Sequence, residues 1–333
     1  MSDTRKSPIF LLKELFSNLP VLFILFTAYH MLVVSIKWFE PAHYEWAWTI
    51  VFPLFWVFAF LWVRLYMNDD VENKNGVLYT FVALAAAGVA VVMMLAQPKT
   101  LGLDQIIRDH ECTTFVWVAL LMLHCLVYRG IKGFVTFFMI GLLYGALLES
   151  SGIQYNFFFE PHYHLYAPEA LQGIFRAPIA TITGWTTVFY PAVFVTEKIF
   201  DKIKVTNLGI RAVNATLVGL FIDLQVDPVA SEIGLWNWNE RLAPGFLGVP
   251  LLNFVSWFWA VIPFAFMVWF VERKHEQGDW SLKKRLVVLL ISVPFCQAFA
   301  GACTFLTMMV IEGVSGPSMQ ILIESMKAQL GAL

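Results

Sequence analysis

The chain has 333 residues, a formal net charge of -2, and 59% hydrophobic against 14% charged side chains; its mean hydropathy is +0.69. A soluble domain carries about 25% charge, so there are too few charges here to coat a water-exposed surface. The near-neutral balance also excludes a nucleic-acid partner held through a basic face. The composition is that of an integral membrane protein, with membrane lipid as its surroundings.

A spanning helix needs roughly 20 apolar residues, each adding about 1.5 Å to a hydrocarbon core about 30 Å thick. In chain order, nine stretches meet or approach that length: 20–37, 46–66, 77–97, 112–128, 133–149, 178–198, 209–224, 250–271 and 286–311. The alternation expected of a barrel is absent, and irregular backbone cannot face lipid. The expected fold class is therefore all-α: a polytopic transmembrane helical bundle of about nine spans, with 1–333 as one integral membrane domain. The first stretch lacks a small-residue cleavage site and eight more follow it, so it reads as an anchor.

With nine spans and the N-terminus in the cytoplasm, sixteen of the 22 Lys and Arg residues fall on the inner side and six on the outer. Basic residues concentrate on the cytoplasmic side, which gives an N-in, C-out, multi-pass protein of the cell (inner) membrane. The two long connections, 150–177 and 225–249, then lie outside. Both are rich in aromatics and poor in Ser, Lys and Glu, so they are expected to fold back over the outer half of the bundle. Long ordered loops are where function concentrates.

Ionisable residues at membrane depth are functional candidates by default. Glu149 follows Gly133 by about 24 Å of helix, near the outer edge of its span, and Asp223 follows Arg211 by about 18 Å. Asp227 stands at i+4 from Asp223, on the same face if the helix continues. Each has a plainer reading. Glu149 suits the interfacial end of a span. Asp227 precedes Pro228, and Asp-Pro is a good N-cap and first-turn pair for a short loop helix. Asp223 is the hardest to explain structurally, because a buried carboxylate must find a donor or a proton.

After the acidic pair, Trp236 and Trp238 at i and i+2 point to one side of an extended segment. They read either as an interfacial aromatic belt or, given Asn237, Asn239 and Glu240 among them, as part of a site. Asn253 opens the eighth span, where it can also serve simply to bond across helices. The other loop carries Tyr155, His162, Tyr163, His164 and Tyr166. The His162-Tyr-His164 pair lacks further ligands at useful spacing, so no metal is expected. His30 and His124 read as satisfied core histidines. The four cysteines (Cys112, Cys125, Cys296, Cys303) show no metal or disulfide pattern. An interior lysine for a Schiff base, a phosphate-binding glycine loop and an arginine-rich voltage-sensor helix are all missing from the sequence.

The order Glu149-x-x-Gly152, then Asp223-x-x-x-Asp227-Pro-x-Ala230-x-x-x-Gly234-x-Trp236-x-Trp238, then Gly248-x-Pro250-x-x-Asn253-Phe-x-x-Trp257 resembles the carotenoid-biosynthesis membrane family. That family includes the carotenoid 1',2'-hydratases and bisanhydrobacterioruberin hydratase. The resemblance covers about 140–260, and its middle block is its most specific part. It departs from the family pattern at 154–162 (Gln-Tyr-Asn-Phe-Phe-Phe-Glu-Pro-His) and at Ser256, where a glycine is often found.

The resemblance implies a cofactor-independent hydratase acting on the terminal C=C of an acyclic carotenoid or other polyisoprenoid lipid. Such a reaction protonates the alkene to a tertiary carbocation and captures it with water. Low dielectric and a second nearby carboxylate both favour the protonated form that a general acid needs. Asp223 and Asp227 fit that part and Glu149 is a third member, with no spacing in the sequence to separate acid from base. Trp236, Trp238, Tyr155 and Trp185 are the candidate aromatic faces for the cation, each contributing about 0.5–2 kcal/mol, and Asn253 is a candidate for placing the water. Two other classes stay open. An intramembrane prenyltransferase would need a second aspartate-rich motif and more basic residues than Arg176 and Arg241. A carotenoid- or lipid-binding subunit or proton-coupled transporter would also use intramembrane acids. The charged stretch 272–285 reads as a solvated inner loop or as a dock for another enzyme of the pathway.

Overall fold

The computed structural model describes residues 103–153, 164–166, 177–232, 234–242, 245 and 248–332, together with 19–21, 23 and 24. The chain divides into two compact units, Met1–Gly102 and Leu103–Leu333. The spans expected over 20–37, 46–66 and 77–97 belong to the first unit and, apart from the few positions near 20, lie outside the described residues. The second unit is built as follows.

Helix α1 is Leu103–Phe134, followed by a π-helical turn, Val135–Ile140, and by α2, Gly141–Ile153. Within α1, Gly130 is non-helical at φ 63 and ψ -166. The chain kinks there, and His124 before the kink and Phe137 and Phe138 after it all meet the ring of Tyr190. The runs expected at 112–128 and 133–149 fall on either side of this kink, within one long apolar stretch, 117–150. The first begins earlier than hydropathy indicates, since α1 is already helical from Leu103.

Helix α3, Ile179–Lys202, is followed by α4, Leu208–Glu232, α5, Leu251–Glu276, α6, Leu282–Glu312, and α7, Pro317–Ala332. Among the described residues, 117–150, α3, most of α4, α5 and α6 are long and apolar enough to cross a membrane. The unit is thus an all-α membrane bundle. Helix α3 is the most enclosed of these and α6 the least. Proline sits inside α3, α4, α5 and α6 at positions 191, 228, 263 and 294. A buried bundle accommodates such breaks because neighbouring groups satisfy the freed carbonyls.

Two expectations are corrected here. The seventh span does not end near residue 224: α4 runs on to Glu232, so the first part of the expected 225–249 loop is helix. Asp227 is consequently an interior residue of α4, and its reading as the N-cap of a short loop helix is wrong. Apolar neighbours at Val226 and Ala230 keep the helix going past a proline that a local rule takes for a boundary. Helix α7, too, was not expected from hydropathy. It starts with Pro317 at the position where a missing N–H costs least, and Glu312 accepts from both Ser318 N (2.9 Å) and Ser318 Oγ (2.8 Å).

The two long connections do meet. Strand β1, His164–Tyr166, pairs antiparallel with β2, Trp236–Trp238, with His164 opposite Trp238 and Tyr166 opposite Trp236. The extended reading of the Trp236–Trp238 segment therefore holds. At the other end of the bundle, Glu197 on α3 bonds Arg129 and accepts from Trp269 Nε1 (2.7 Å), which ties α1, α3 and α5 together. Arg285, 1% exposed, bonds Thr136 Oγ1 and Glu272 Oε1, both at 2.5 Å. His124 is a buried core histidine, as expected, with Nδ1 2.6 Å from Tyr190 Oη.

Candidate functional site

Four elements converge at the end of the bundle remote from Glu197: the last turn of α2, the early part of α3, the late part of α4 and the first turn of α5. Because α4 is continuous, its i, i+4 geometry puts Asp223 and Asp227 on one face. Both are buried, at 0% and 3% exposure, and their carboxyl groups face each other at hydrogen-bonding range. Asn253, 2% exposed on the first turn of α5, lies against both. Its Nδ2 donates to Asp227 Oδ2 and stands 3.4 Å from Asp223 Oδ2. One amide thus bridges the pair. Among the described residues, Asp223 Oδ1 has no hydrogen-bond partner although it is fully buried.

The second half of the site is built on α2 and α3. Glu149, 9% exposed, accepts from Trp185 Nε1 at 2.7 Å. Gly145, one turn before Glu149, makes that bond possible. A Cβ on Gly145 would stand 2.7 Å from Cβ of Trp185, too close for any residue with a side chain. The Trp185 ring is then held between two aromatic faces, Trp257 at 4.3 Å and Phe189 at 5.4 Å between centroids, both stacked. Glu149 lies close enough to Asp227 for their charges to interact, so the two halves belong to one site.

Below the site the aromatic packing continues. Phe189 stacks on Phe264 (4.2 Å), Phe264 on Tyr144 (5.7 Å), and Tyr144 Oη donates to the Ala260 carbonyl (3.1 Å). These fully enclosed rings separate the carboxylates from the polar cluster around Arg129 and Glu197. Trp185 and Glu197 are both on α3, and the distance between them along the helix is about 18 Å.

Of the residues singled out from sequence, Glu149, Trp185, Asp223, Asp227 and Asn253 come together here. Trp236 and Trp238 lie beyond the end of α4. Trp236 packs with Ile107, Ala230 and Leu235, and Trp238 Nε1 donates to Ser231 Oγ at 2.9 Å. Gly234, at φ 75, turns the chain out of the helix toward them, with Leu235 N bonded to the Ala230 carbonyl at 2.8 Å. Tyr155, His162 and Tyr163 lie outside the described residues.

Two further members of the site have a weaker signal in the sequence. Trp257, a fixed position of the third motif, stands at i+4 from Asn253, and helical spacing puts the two on one face of α5. Gly145 likewise stands at i-4 from Glu149. Ser256, at the position where a glycine is often found, turns its hydroxyl back to the Asn253 carbonyl at 2.7 Å.

The model of one protein family, described as carotenoid biosynthesis protein, matches residues 111–321. That is well over half of the chain, and it extends beyond the 140–260 stretch to take in all of α3 to α6. No curated protein and no solved structure matches.

Proposed function

The chain belongs to the carotenoid biosynthesis protein family, and on that premise we propose that it hydrates the terminal C=C of an acyclic carotenoid end group without a cofactor. The observation that carries the proposal is the aspartate pair bridged by Asn253, with one buried oxygen, Asp223 Oδ1, left over.

Two carboxylates facing each other away from water cannot both hold a negative charge, so the pair shares one proton. The Asn253 amide donates its N–H groups and so favours negative charge on the oxygens it touches, which are the two Oδ2 atoms. Of the two oxygens that the amide does not touch, Asp223 Oδ1 is the one buried without a partner among the described residues, so the proton is assigned to it and Asp223 is the general acid. It passes to the less substituted alkene carbon, the C=C π bond breaks, and a tertiary carbocation remains on the neighbouring carbon. Water adds its oxygen to that carbon and loses a proton to Glu149, giving a tertiary alcohol. Proton transfer from Glu149 back to the aspartates restores the starting state. The net change is alkene plus water.

In this scheme Trp185 orients Glu149 through its N–H, while its ring is stacked against Trp257 and Phe189. The substrate is an apolar polyene dissolved in lipid, which accounts for a carboxylate site placed at membrane depth.

The test is expression of the full chain in a host that accumulates an acyclic carotene with isopropylidene ends, followed by mass analysis of the pigments. The expected product is heavier by one water and is lost in Asp223→Asn and Asp227→Asn variants that still insert. An unchanged pigment profile, with carotene co-purifying on the protein, would overturn the reading in favour of a non-catalytic binding subunit.

A further inference from the structure

We infer that Trp257 is a positioning residue that sets the water-activating carboxylate through Trp185. The inference rests on the hydration reading and extends it to a residue that touches neither carboxylate in the contacts described above.

The argument begins with what Glu149 needs. A base that must meet a water held against a planar carbocation has to keep its oxygens fixed, because misplacement by about 1 Å can cost 10²-fold in rate. Glu149 sits near the end of α2, where the helix itself constrains a three-carbon side chain little. The hydrogen bond from Trp185 Nε1 at 2.7 Å supplies the constraint. That bond is only as well aimed as the indole plane, and an indole can swing about two side-chain torsions. Three contacts stop it. Gly145 lets the α2 backbone come up against the Trp185 Cβ side, Phe189 covers one stretch of the ring at 5.4 Å, and Trp257 stacks on it at 4.3 Å and 27°.

Of these, Trp257 is the contact that comes from another part of the site. It is one turn from Asn253 on α5, so the same helix face that bridges the aspartates also braces the indole that holds Glu149. Helix α5 thereby sets acid and base in one frame. If α5 moves, both move, and their separation across the alkene is kept. A Trp at 257 that merely filled volume would have no reason to lie nearly parallel to Trp185.

The experiment compares the wild type with Trp257→Ala, Trp257→Phe, Glu149→Gln and the Trp257→Ala/Glu149→Gln double variant. Each is the full chain in membranes supplied with the acyclic carotene, and each is read as rate of water addition across pH. Trp257→Ala is expected to lower turnover by on the order of tenfold to a hundredfold with little change in half-saturating carotene. Trp257→Phe, which keeps a stacked ring, restores most of it. In the Glu149→Gln background, Trp257→Ala produces no further loss, since the group it positions is gone. The acidic limb of the pH–rate profile, set by Glu149 as a base, shifts in Trp257→Ala and returns in Trp257→Phe.

Equal losses from Trp257→Ala in both backgrounds, or an unshifted profile, would overturn the inference and leave Trp257 as packing. If Trp257→Ala fails to insert, Trp257→Leu, which keeps bulk without a stacking plane, carries the same comparison. A wild type that adds no water overturns the hydration reading itself, and is distinguished from failure of the Trp257 inference by that first control.

Discussion

Asn253 Nδ2 stands 3.4 Å from Asp223 Oδ2 while it donates to the second aspartate one turn away. A neutral amide thus serves two carboxyl groups, and no Lys or Arg is bonded to either among the contacts described. A nearby guanidinium would have fixed both as anions and removed their use as acids. The amide satisfies part of the pair and leaves one oxygen without a donor.

Replacing Asn253 tests that arrangement. Asn253→Ala removes the amide donor that bridges the pair, and leaving buried acceptors unpaired costs about 1–3 kcal/mol. Expected outcomes are a lower unfolding midpoint in detergent and a loss of water addition of about 10²-fold or more, in the range of general acid–base contributions. Asn253→Asp, isosteric but carrying a third carboxyl group, is expected to be the worse of the two in membrane insertion. Quantifying inserted protein beside pigment mass separates the two effects.

The close approach at Gly145 gives a second prediction. Gly145→Ala brings a methyl group to within 2.7 Å of Cβ of Trp185, and overpacking of this kind costs about 1–3 kcal/mol. The indole is pushed off Glu149, so the variant is expected to lose both thermal stability and turnover. Its tryptophan fluorescence should shift as Trp185 leaves its stack. Gly184→Ala is the matched control, because a Cβ there meets nothing within 4 Å.

Two arginines at opposite ends of the bundle predict contrasting outcomes. Arg285 is 1% exposed and bonds Glu272 and Thr136 at 2.5 Å, and breaking a buried pair from one side costs about 3–5 kcal/mol, less here because Glu272 is partly exposed. Arg241 pairs with Glu324 at 2.6 and 3.0 Å with both side chains well exposed. Arg285→Ala is expected to compromise folding, measured as the yield of monodisperse protein, whereas Arg241→Ala should leave that yield near wild type.

The Arg241–Glu324 pair has a pH signature of its own. The two hydrogen bonds from Arg241 hold the Glu324 carboxyl below the usual glutamate range of about 4.3. A depressed carboxyl contributes stability that is present above its unfolded value and is lost as pH falls through the folded one. Wild type and Arg241→Gln should therefore differ slightly in thermal midpoint near neutrality and converge in acid. A gap that persists at low pH would show that the pair plays no part.

Much of this architecture was legible because membrane helices announce themselves by composition. The runs at 178–198, 250–271 and 286–311 fall on α3, α5 and α6 with small shifts at their ends. Hydropathy loses an element where its composition turns polar while packing keeps it helical. The end of α4 carries Gln225, Asp227, Ser231 and Glu232, yet it stays helical past Pro228 because Val226 and Ala230 pack against Ile107 and Leu235. Helix α7 is only weakly apolar and is held through Met319, Ile321 and Leu322 against Leu242 and Leu252, contacts between residues far apart in the chain. The carboxylates and Asn253 were visible as polar residues in apolar surroundings. Trp257 was not, because one aromatic among 16% aromatic residues carries no signal until its partner across the helix interface is known.

The order in which these groups leave the ribosome matters too. Helix α4 brings both aspartates, but the amide that serves them arrives 30 residues after the first and 26 after the second. Until α5 follows, α4 is a segment with two acidic groups and no donor, and such a segment partitions poorly into lipid by itself, at a cost of about 2.5–3.5 kcal/mol for a central Asp. The two helices are therefore suited to enter the bilayer together as a hairpin, each compensating the other during biogenesis. A chain ending between residues 233 and 250 would carry both aspartates without the amide that serves them in the finished site.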